Sequence, residues 1–348
     1  MLKYSIKRII LALVTAFIIL SLTYILVKSL GIQENFDPKS SARHAYYLEQ
    51  WNLGYLIRSS VELDPAVYGS PIATFVNPDS TKDFFYERPV LEQYWQWLGN
   101  IVKHFDWGRS TIIEPGSLAT SIIIERLPTS MILNIISVVV SVPLGIGLGI
   151  LAGLKKNTWV DHLISTVVMI FISIPSFVVI SFLIYFLAYK SNLLPPAWPT
   201  PSEPLSQKAL ALIIPVISLS FGSVCGYTRF VRAELCEVMS SEYLLLARTK
   251  GLTKNQAITR HALKNAFVPI LPSILAEFIG IFGGSMILEK LYSIPGIGDL
   301  YIKSIEVKDY NVLMVDMAIF TTVGLLAGIV LDLSYGFIDP RIRMGEKR

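Results

Sequence analysis

The sequence predicts an all-α integral membrane protein with six transmembrane helices, both termini in the cytoplasm and an extracytoplasmic domain between helices 1 and 2. Of its 348 residues, 53% are hydrophobic and only 16% are charged, whereas soluble domains carry about 25% charged residues. The apolar residues gather into runs of about 20, the length that an α-helix needs to cross roughly 30 Å of hydrocarbon. The positive charges cluster on segments that can all face one side of the membrane.

The first apolar run, residues 9–27, predicts an uncleaved transmembrane helix. At about 19 residues it exceeds the apolar region of a signal peptide, and no small-residue cleavage site follows it. Five further runs predict spans at residues 128–154, 160–189, 209–228, 266–289 and 313–336. Proline interrupts several runs, and each proline removes a backbone hydrogen bond from the helix. These positions fit either structural kinks or parts of a moving pathway. These residues are Pro143, Pro175, Pro215, Pro269 and Pro272.

Basic residues set the orientation of the predicted spans. They precede the first span, separate the second from the third, crowd the connection between the fourth and the fifth, and follow the last. The loop over residues 32–127 instead carries more acidic than basic residues. Because Lys and Arg are enriched in cytoplasmic loops, we expect both termini in the cytoplasm and this loop outside. The net charge of +4 is too small to indicate a nucleic-acid-binding protein.

The predicted organisation has four parts. Residues 1–31 form the N-terminal transmembrane helix, and residues 32–118 form an extracytoplasmic loop or cap. Residues 119–337 form a five-helix core with a cytoplasmic elbow at 234–266, and residues 338–348 form a cytoplasmic tail.

Aromatic residues are concentrated in the outward loop, and the apolar residues between Leu91 and Phe105 follow helical spacing. The loop is therefore either an aromatic belt at the lipid headgroups or a small folded cap over the outer mouth. Small residues also recur four apart within the spans, a spacing that lets helix backbones approach closely. They are Gly145, Gly149 and Gly153, then Gly280 and Gly284, then Gly324 and Gly328.

Catalytic, metal and nucleotide sites are not predicted. The sequence has no G-x-x-x-x-G-K-[ST] phosphate loop, no H-E-x-x-H pair and no G-x-S-x-G elbow. The two cysteines, Cys225 and Cys236, would lie roughly 16 Å apart on a helix, too far for a disulfide, and lack metal-ligand spacing. An enzyme is therefore not supported.

The segment from Glu242 to Ala266 predicts a compact helix–Gly–helix elbow. Residues 242–250 suit a helix, and Gly251 can adopt the left-handed conformation that ends it. Thr253 and Gln256 have the spacing of a capping box for a second helix. The segment is either a basic juxtamembrane loop or a docking elbow for a cytoplasmic partner, and its many apolar residues favour the elbow.

This segment resembles the cytoplasmic signature loop of permease subunits in type I ABC importers. Ala247 and Gly251 align with the third and seventh positions of its E-A-A-x-x-x-G pattern, whereas Leu245 and Leu246 replace the Glu-Ala. The residues around Gly251 are similar to the oligopeptide/dipeptide/nickel subgroup, and five further stretches extend this resemblance. They are Asp106–Ser110, Glu125–Thr129, Ser173–Phe177, Glu289–Gly298 and Asp339–Arg343. The long loop before the second span suggests the first, B-type, of the two paired oligopeptide permease subunits.

The resemblance implies a multi-pass subunit of a prokaryotic cytoplasmic membrane. Its partners would be the lipid bilayer, a second permease subunit, two cytoplasmic ATPase subunits and an extracytoplasmic peptide-binding protein or lipoprotein. The chain would bind no cofactor, and ATP and Mg would be bound by the ATPase subunits. Oligopeptides are the expected cargo, with dipeptides, nickel or a metal chelate as alternatives. The residues expected to couple to the ATPase are Ala247, Arg248, Lys250, Gly251, Lys254, Arg260 and His261.

Ionisable residues inside spans are candidate groups of a translocation pathway. Glu277 lies in the middle of the fifth predicted span, and Asp316 lies near the outer end of the sixth. Both also fit pairing between helices. A secondary transporter would need coupling-ion groups and often has repeated halves, and neither is evident. A membrane scaffold with an aromatic ectodomain is a further alternative.

Overall fold

The structure, a computed structural model, describes residues 2–29 and 41–338. The predicted tail, apart from its first residue, and the Asp339–Arg343 motif lie outside the described residues. The chain divides into two compact units, which are treated separately below. The first comprises Met1–Leu13, Arg126–Leu300 and Thr322–Arg348, and the second comprises Val14–Glu125 and Tyr301–Thr321.

Helices dominate the fold. In chain order they are α1 Leu2–Lys28, α2 Ser41–Asn52, α3 Pro65–Tyr68, α4 Val90–His104, α5 Ala119–Leu154, α6 Trp159–Ile172, α7 Ser176–Leu183, α8 Leu205–Met239, α9 Glu242–Thr249, α10 Lys254–Ala257, α11 Leu263–Phe267, α12 Leu271–Gly280, α13 Met286–Tyr292, α14 Ile297–Glu306 and α15 Tyr310–Ile338. Two π-helical segments continue α7 and α10, at Ile184–Lys190 and Ile258–Ala262.

Four helices in the described residues are long and apolar enough to cross a membrane: α1, α5, α8 and α15. Two bent pairs would each add one span if counted together. The segment from α6 to the end of the π-helix after α7 bends by 97° at Pro175, and the segment from α10 to α12 bends by 51°. Prolines at these breaks leave backbone carbonyls without helical donors, which is why the axes turn there.

The fifth predicted span, residues 266–289, is wrong as a continuous helix. The chain is helical to Phe267, turns, and resumes at Leu271 with Pro272 in its first turn. Helix α12 ends at Gly280, and a new helix starts only at Met286. Hydropathy alone could not reveal these breaks, because every residue from 278 to 288 is apolar, small or uncharged.

In the first unit, α5 and α8 pack closely through the first of the predicted glycine sets. A β-carbon on Gly145 would lie 2.6 Å from Cβ of Tyr227, and one on Gly149 would lie 2.6 Å from Cβ of Val231. The close-approach prediction is thus confirmed for this set. Gly284 also makes a close approach, since a β-carbon there would lie 2.5 Å from the Gly298 amide nitrogen. Gly280, Gly324 and Gly328 face open space, so the prediction is wrong for them within this chain.

The second unit contains a three-stranded antiparallel sheet, so the prediction of an all-α protein is wrong for the outward loop. The strands are β1 Leu56–Ser59, β2 Ala73–Val76 and β3 Lys82–Glu87, with β3 in the centre. Strands of this length carry too few residues for a clear alternating pattern, and their aromatic content suits a pleated, half-buried surface.

The core beneath this sheet is aromatic. Tyr47 of α2 packs against Phe75 of β2 and Phe85 of β3, with ring centroids 5.5 and 5.4 Å apart. Asp83 is buried beside them and accepts two hydrogen bonds from Arg58, at 3.0 and 2.9 Å, and one from Asn77 at 3.1 Å. Burial raises the pKa of Asp83, but these donors outweigh it and hold the pKa below its usual range. The loop is thus folded, as the cap hypothesis requires.

Candidate functional site

The candidate site is the elbow that follows α8. Helix α9 starts after Ser241 and runs to Thr249. Of its residues, Leu244 is buried, whereas Tyr243, Leu245 and Leu246 are 42%, 62% and 56% exposed. A helix of eight residues that exposes three large apolar side chains leaves a surface typical of a protein contact.

Gly251 makes the turn of the elbow. Its φ is +95°, a region that residues with a β-carbon rarely adopt, and the space around its α-carbon is open. The prediction of a left-handed glycine at this position is confirmed. Any side chain placed here would strain the backbone, although no neighbouring atom would obstruct it.

The second arm begins with the predicted capping box, which the structure confirms. The Gln256 amide donates to Thr253 Oγ1 at 3.3 Å, and the Thr253 amide donates to Gln256 Oε1 at 3.0 Å. Helix α10 then continues as the π-helical segment Ile258–Ala262 and as α11. The extra residue per turn of a π-helix is a feature often found at functional sites.

One apolar cluster joins both arms of the elbow to α8. It buries Leu244 of α9, Ala257 and Ile258 of the second arm, and Leu235 near the end of α8. Ala262 and Ala266 complete the buried set. Both arms of the elbow and the end of α8 therefore share one packed apolar core.

The predicted coupling residues lie on the outer surface of this elbow. Ala247 is half-buried, and the other six predicted residues are exposed. Arg248 and Lys254 line a groove of about 200 Å³ between the two arms, with Leu245 and Ile258 at its apolar wall. Positive rims and an apolar wall suit a partner surface with an acidic edge and a protruding apolar side chain. Tyr243 and Leu246 were not among the predicted coupling residues, although both are exposed on α9 together with Leu245.

An ion pair fixes α8 against α6. The Arg232 guanidinium donates twice to the buried carboxylate of Asp161, from Nη2 at 2.8 Å and from Nε. Asp161 also accepts from the Asn157 amide at 2.9 Å and from Ser165 Oγ at 3.2 Å. Arg232 contributes to the positive-inside pattern, but its partner on α6 could not be inferred from spacing.

Glu289 links two of the sequence motifs on which the family resemblance rests. Its fully buried carboxylate accepts from Ser130 Oγ at 2.9 Å, beside the Glu125–Thr129 motif. It also accepts from the Gly298 and Asp299 amides at 2.8 and 3.1 Å, at the start of α14. A negative charge at a helix N-terminus is favourable, so this carboxylate joins α5, α13 and α14.

Gly296 leaves the space that this carboxylate needs. A β-carbon at Gly296 would lie 2.2 Å from Glu289 Oε2 and 2.3 Å from Ser130 Oγ. The proline–glycine part of the Glu289–Gly298 motif is therefore a packing requirement.

Asp309 has the same role in the second unit, where it holds the Asp106–Ser110 motif. Its buried carboxylate accepts from Ser110 Oγ and from the Ile112 and Ile113 amides at 3.0 and 2.9 Å. Asn311 donates to the Arg109 carbonyl at 2.7 Å. The structural roles of Glu289 and Asp309 were not predicted, because their partners Ser130 and Ser110 are distant in the chain.

The two candidate pathway residues lie in different units. Glu277 of α12 is half-buried and hydrogen-bonds with Tyr227 of α8. Asp316 of α15 is fully buried within the second unit. Their roles in a pathway stay predictions. Within residues 2–29 and 41–338, no group of three His, Cys, Asp or Glu residues could hold a metal ion.

The long apolar helices define the chain as a multi-pass membrane protein. Residues 145–344 match the family described as "Binding-protein-dependent transport system inner membrane component". The chain belongs to this family, whose members are permease subunits of ABC importers, are not enzymes themselves, and pair with ATPase and binding-protein partners.

Curated relatives cover almost the whole chain. The dipeptide transport system permease protein DppB of Lactococcus lactis subsp. cremoris is 30% identical over 99% of this chain and 100% of its own length. The oligopeptide transport system permease protein AppB of Bacillus subtilis is 28% identical over 83% of this chain and 94% of its own length. The crystal structure of an amino acid ABC transporter with histidines aligns with a TM-score of 0.46 and 19% identity, covering 62% of this chain and 94% of that chain. The family match and the two curated permease relatives confirm the resemblance to the peptide/nickel subgroup.

Proposed function

We propose that this chain is the B-type permease subunit of an ATP-driven importer that carries oligopeptides across the cytoplasmic membrane of a prokaryote. The observation that carries the proposal is the elbow, in which an exposed basic and apolar surface rests on a core shared with α8. ATP and Mg²⁺ would be bound by two ATPase subunits, and this chain would bind no cofactor. A second permease subunit and an extracytoplasmic peptide-binding protein would complete the assembly.

The proposed topology counts each bent pair as one span, which gives six spans with both termini in the cytoplasm. This topology puts the elbow in the cytoplasm, where its Lys and Arg residues obey the positive-inside rule. The folded segment from α2 to α4 then lies outside. The pairing of Arg8 on α1 with Asp332 on α15, at 3.1 Å, supports a common side for the start of α1 and the end of α15.

The proposed mechanism is alternating access driven through the elbow. Closure of the ATPase subunits would push on the groove lined by Arg248 and Lys254. Because Leu235 and Leu244 share one core, the push would turn α8 as a rigid body and open the cavity to alternate sides. Glu277, which faces α8 through Tyr227, is the proposed pathway group of this moving part.

Docking can be tested by co-purification. We expect an Arg248→Glu/Lys254→Glu double variant to recover at least about tenfold less ATPase subunit from detergent-solubilised membranes, because it reverses the charge on both rims of the groove. The matched control is Lys155→Glu/Lys156→Glu, which reverses two exposed charges on the connection after α5. Equal recovery from the two double variants, or full recovery from the first, would contradict docking at the elbow.

The cargo requires its own test. Relatives named for dipeptide and for oligopeptide transport support a peptide cargo, and dipeptides, nickel or a metal chelate are the alternatives. We expect a strain lacking the gene to stop growing on a tetra- or pentapeptide as sole source of a required amino acid. Growth on the free amino acid should persist. Unchanged growth on the longer peptides, with loss of dipeptide or nickel uptake, would reject the oligopeptide assignment.

A further inference from the structure

Helix α4 carries an apolar stripe that is exposed among the residues that the structure describes. Leu91, Trp95, Val102 and Phe105 are 64%, 65%, 76% and 71% exposed. Leu91, Trp95 and Val102 repeat at intervals of four and seven residues, so they lie on one face of the helix. Phe105 follows directly as the left-handed C-cap residue and extends the exposed apolar surface past the end of the helix. From sequence, such residues fit either a lipid-facing belt or part of a folded cap.

The exposed surface of α4 has two distinct parts. Each exposed polar residue of this surface directly follows one residue of the apolar stripe in sequence, so the polar residues form a second stripe beside it. They are Glu92, Gln96 and Lys103. A third face is packed, because Tyr94 and Trp97 are buried in a cluster with Tyr24 of α1 and Met314 of α15. The outward half of α4 is thus divided lengthwise into an apolar and a polar stripe, as in helices that lie at a lipid–water boundary.

The contacts of α4 with α1 show how far α4 lies from the C-terminal end of that spanning helix. Tyr94 Oη lies 2.8 Å from Ser21 Oγ, and the ring of Trp97 stacks on that of Tyr24 at 4.5 Å. Ser21 and Tyr24 are seven and four residues before the end of α1 at Lys28, which is roughly 10 and 6 Å along the helix axis. Helix α4 therefore packs beside the last two turns of a helix that is apolar enough to span the membrane.

Two further observations indicate the same depth of α4 along the spanning helices. Met314 joins the cluster from the second turn of α15, about 6 Å inside the start of that spanning helix. Lys28 lies 5.5 Å from the ring centroid of Tyr55, and Tyr55 belongs to the same cluster. Tyr and Trp rings beside a terminal Lys are characteristic of the membrane interface.

We propose that α4 is an interfacial helix whose stripe of Leu91, Trp95, Val102 and Phe105 inserts among the phospholipid acyl chains of the leaflet around the C-terminal end of α1. The exposed part of α1 supports this occupant, since only 6% of its most apolar window is buried and Leu22 and Leu26 at the same level are 58% and 67% exposed. A stripe at that depth is continuous with a surface that already faces hydrocarbon. In the topology proposed above, this leaflet is the outer one.

Spin labels can test the proposal on the full chain assembled with its partners in phosphatidylethanolamine/phosphatidylglycerol nanodiscs. Labels would be attached at Trp95→Cys and Val102→Cys in a Cys225→Ser/Cys236→Ser background. We expect both labels to collide at least several-fold more often with oxygen than with a water-soluble nickel chelate. The matched control is Val76→Cys on β2, a position of similar exposure at 68%, beside a turn with the exposed Asp79. Its label should favour the nickel chelate.

Two outcomes overturn the proposal. Preference of the Trp95 and Val102 labels for the nickel chelate would place the stripe in water, and protection from both reagents would show that a protein covers it. As a measurement without cysteine, benzoylphenylalanine at Val102 should form a photoadduct with the mass of one phospholipid in native membranes. An adduct with another polypeptide instead would also reject lipid as the occupant. These results are independent of cargo and of ATPase docking.

Discussion

Peptide uptake is expected to fall about 5- to 30-fold in a Gly251→Asp variant that still inserts into the membrane at the wild-type level. A side chain at φ +95° costs roughly 1–2 kcal/mol, so the elbow would leave the conformation that presents its groove. The new carboxylate would also lie beside the basic rim. Uptake of a labelled peptide and peptide-stimulated ATP hydrolysis would both be measured in proteoliposomes, with the membrane level determined by immunoblot.

A matched variant separates this effect from backbone strain in general. Gly116 has nearly the same φ, +89°, and equally open surroundings, but it lies in the loop before α5. Gly116→Asp should keep uptake close to wild type. Gly251→Asn should lose less than Gly251→Asp, because Asn has a similar shape but adds no negative charge beside Arg248 and Lys254. Normal uptake by Gly251→Asp, or an equal loss in both aspartate variants, would show that the elbow does not couple transport.

The second large effect is expected from Gly296→Ala. Its methyl group would overlap the Glu289 carboxylate at 2.2 Å and Ser130 Oγ at 2.3 Å. Displacing this carboxylate would leave the Gly298 and Asp299 amides without an acceptor. Breaking a buried charged network in this way costs roughly 3–5 kcal/mol. We expect the apparent melting temperature in detergent to fall by about 10 °C, and the amount of protein in the membrane to fall with it.

The control for this prediction is another glycine-to-alanine change. Gly147 lies inside α5 with nothing within 4 Å of its added β-carbon, so Gly147→Ala should be neutral or slightly stabilising. Glu289→Leu removes the same carboxylate without adding a methyl group at residue 296, and it should destabilise to a similar degree. A melting temperature for Gly296→Ala within about 2 °C of wild type would contradict the role given to Glu289.

The elbow could be predicted from sequence because its signals are local. Gly251 and the pair Thr253 and Gln256 act over three or four residues, and both features are present in the structure. The long spans were predictable for a related reason, since length and hydropathy suffice for a helix in lipid. Proline predicted where two spans are interrupted, at Pro175 and at Pro269 and Pro272, but not how far the helix axes bend there, which is 97° and 51°. Pro143 and Pro215, in contrast, lie inside the continuous helices α5 and α8.

The contacts that hold the motifs together could not be predicted in this way. Ser130 and Glu289 are 159 residues apart, and Arg232 and Asp161 are 71 apart. No periodicity links residues at such separations. The strands of the outward loop were missed for a different reason, because four to six residues give too short a pattern to outweigh a helical reading.

The hydrogen bonds accepted by Asp309 also have a consequence for the chain during its synthesis. Ser110 and Asp309 are separated by 199 residues, so at about 5–20 residues per second the ribosome needs roughly 10–40 s to travel between them. During that interval the amides of Ile112 and Ile113 have no carboxylate to accept their hydrogen bonds. A nascent chain that ends before Asp309 therefore lacks the carboxylate that accepts the hydrogen bonds of this turn in the finished protein.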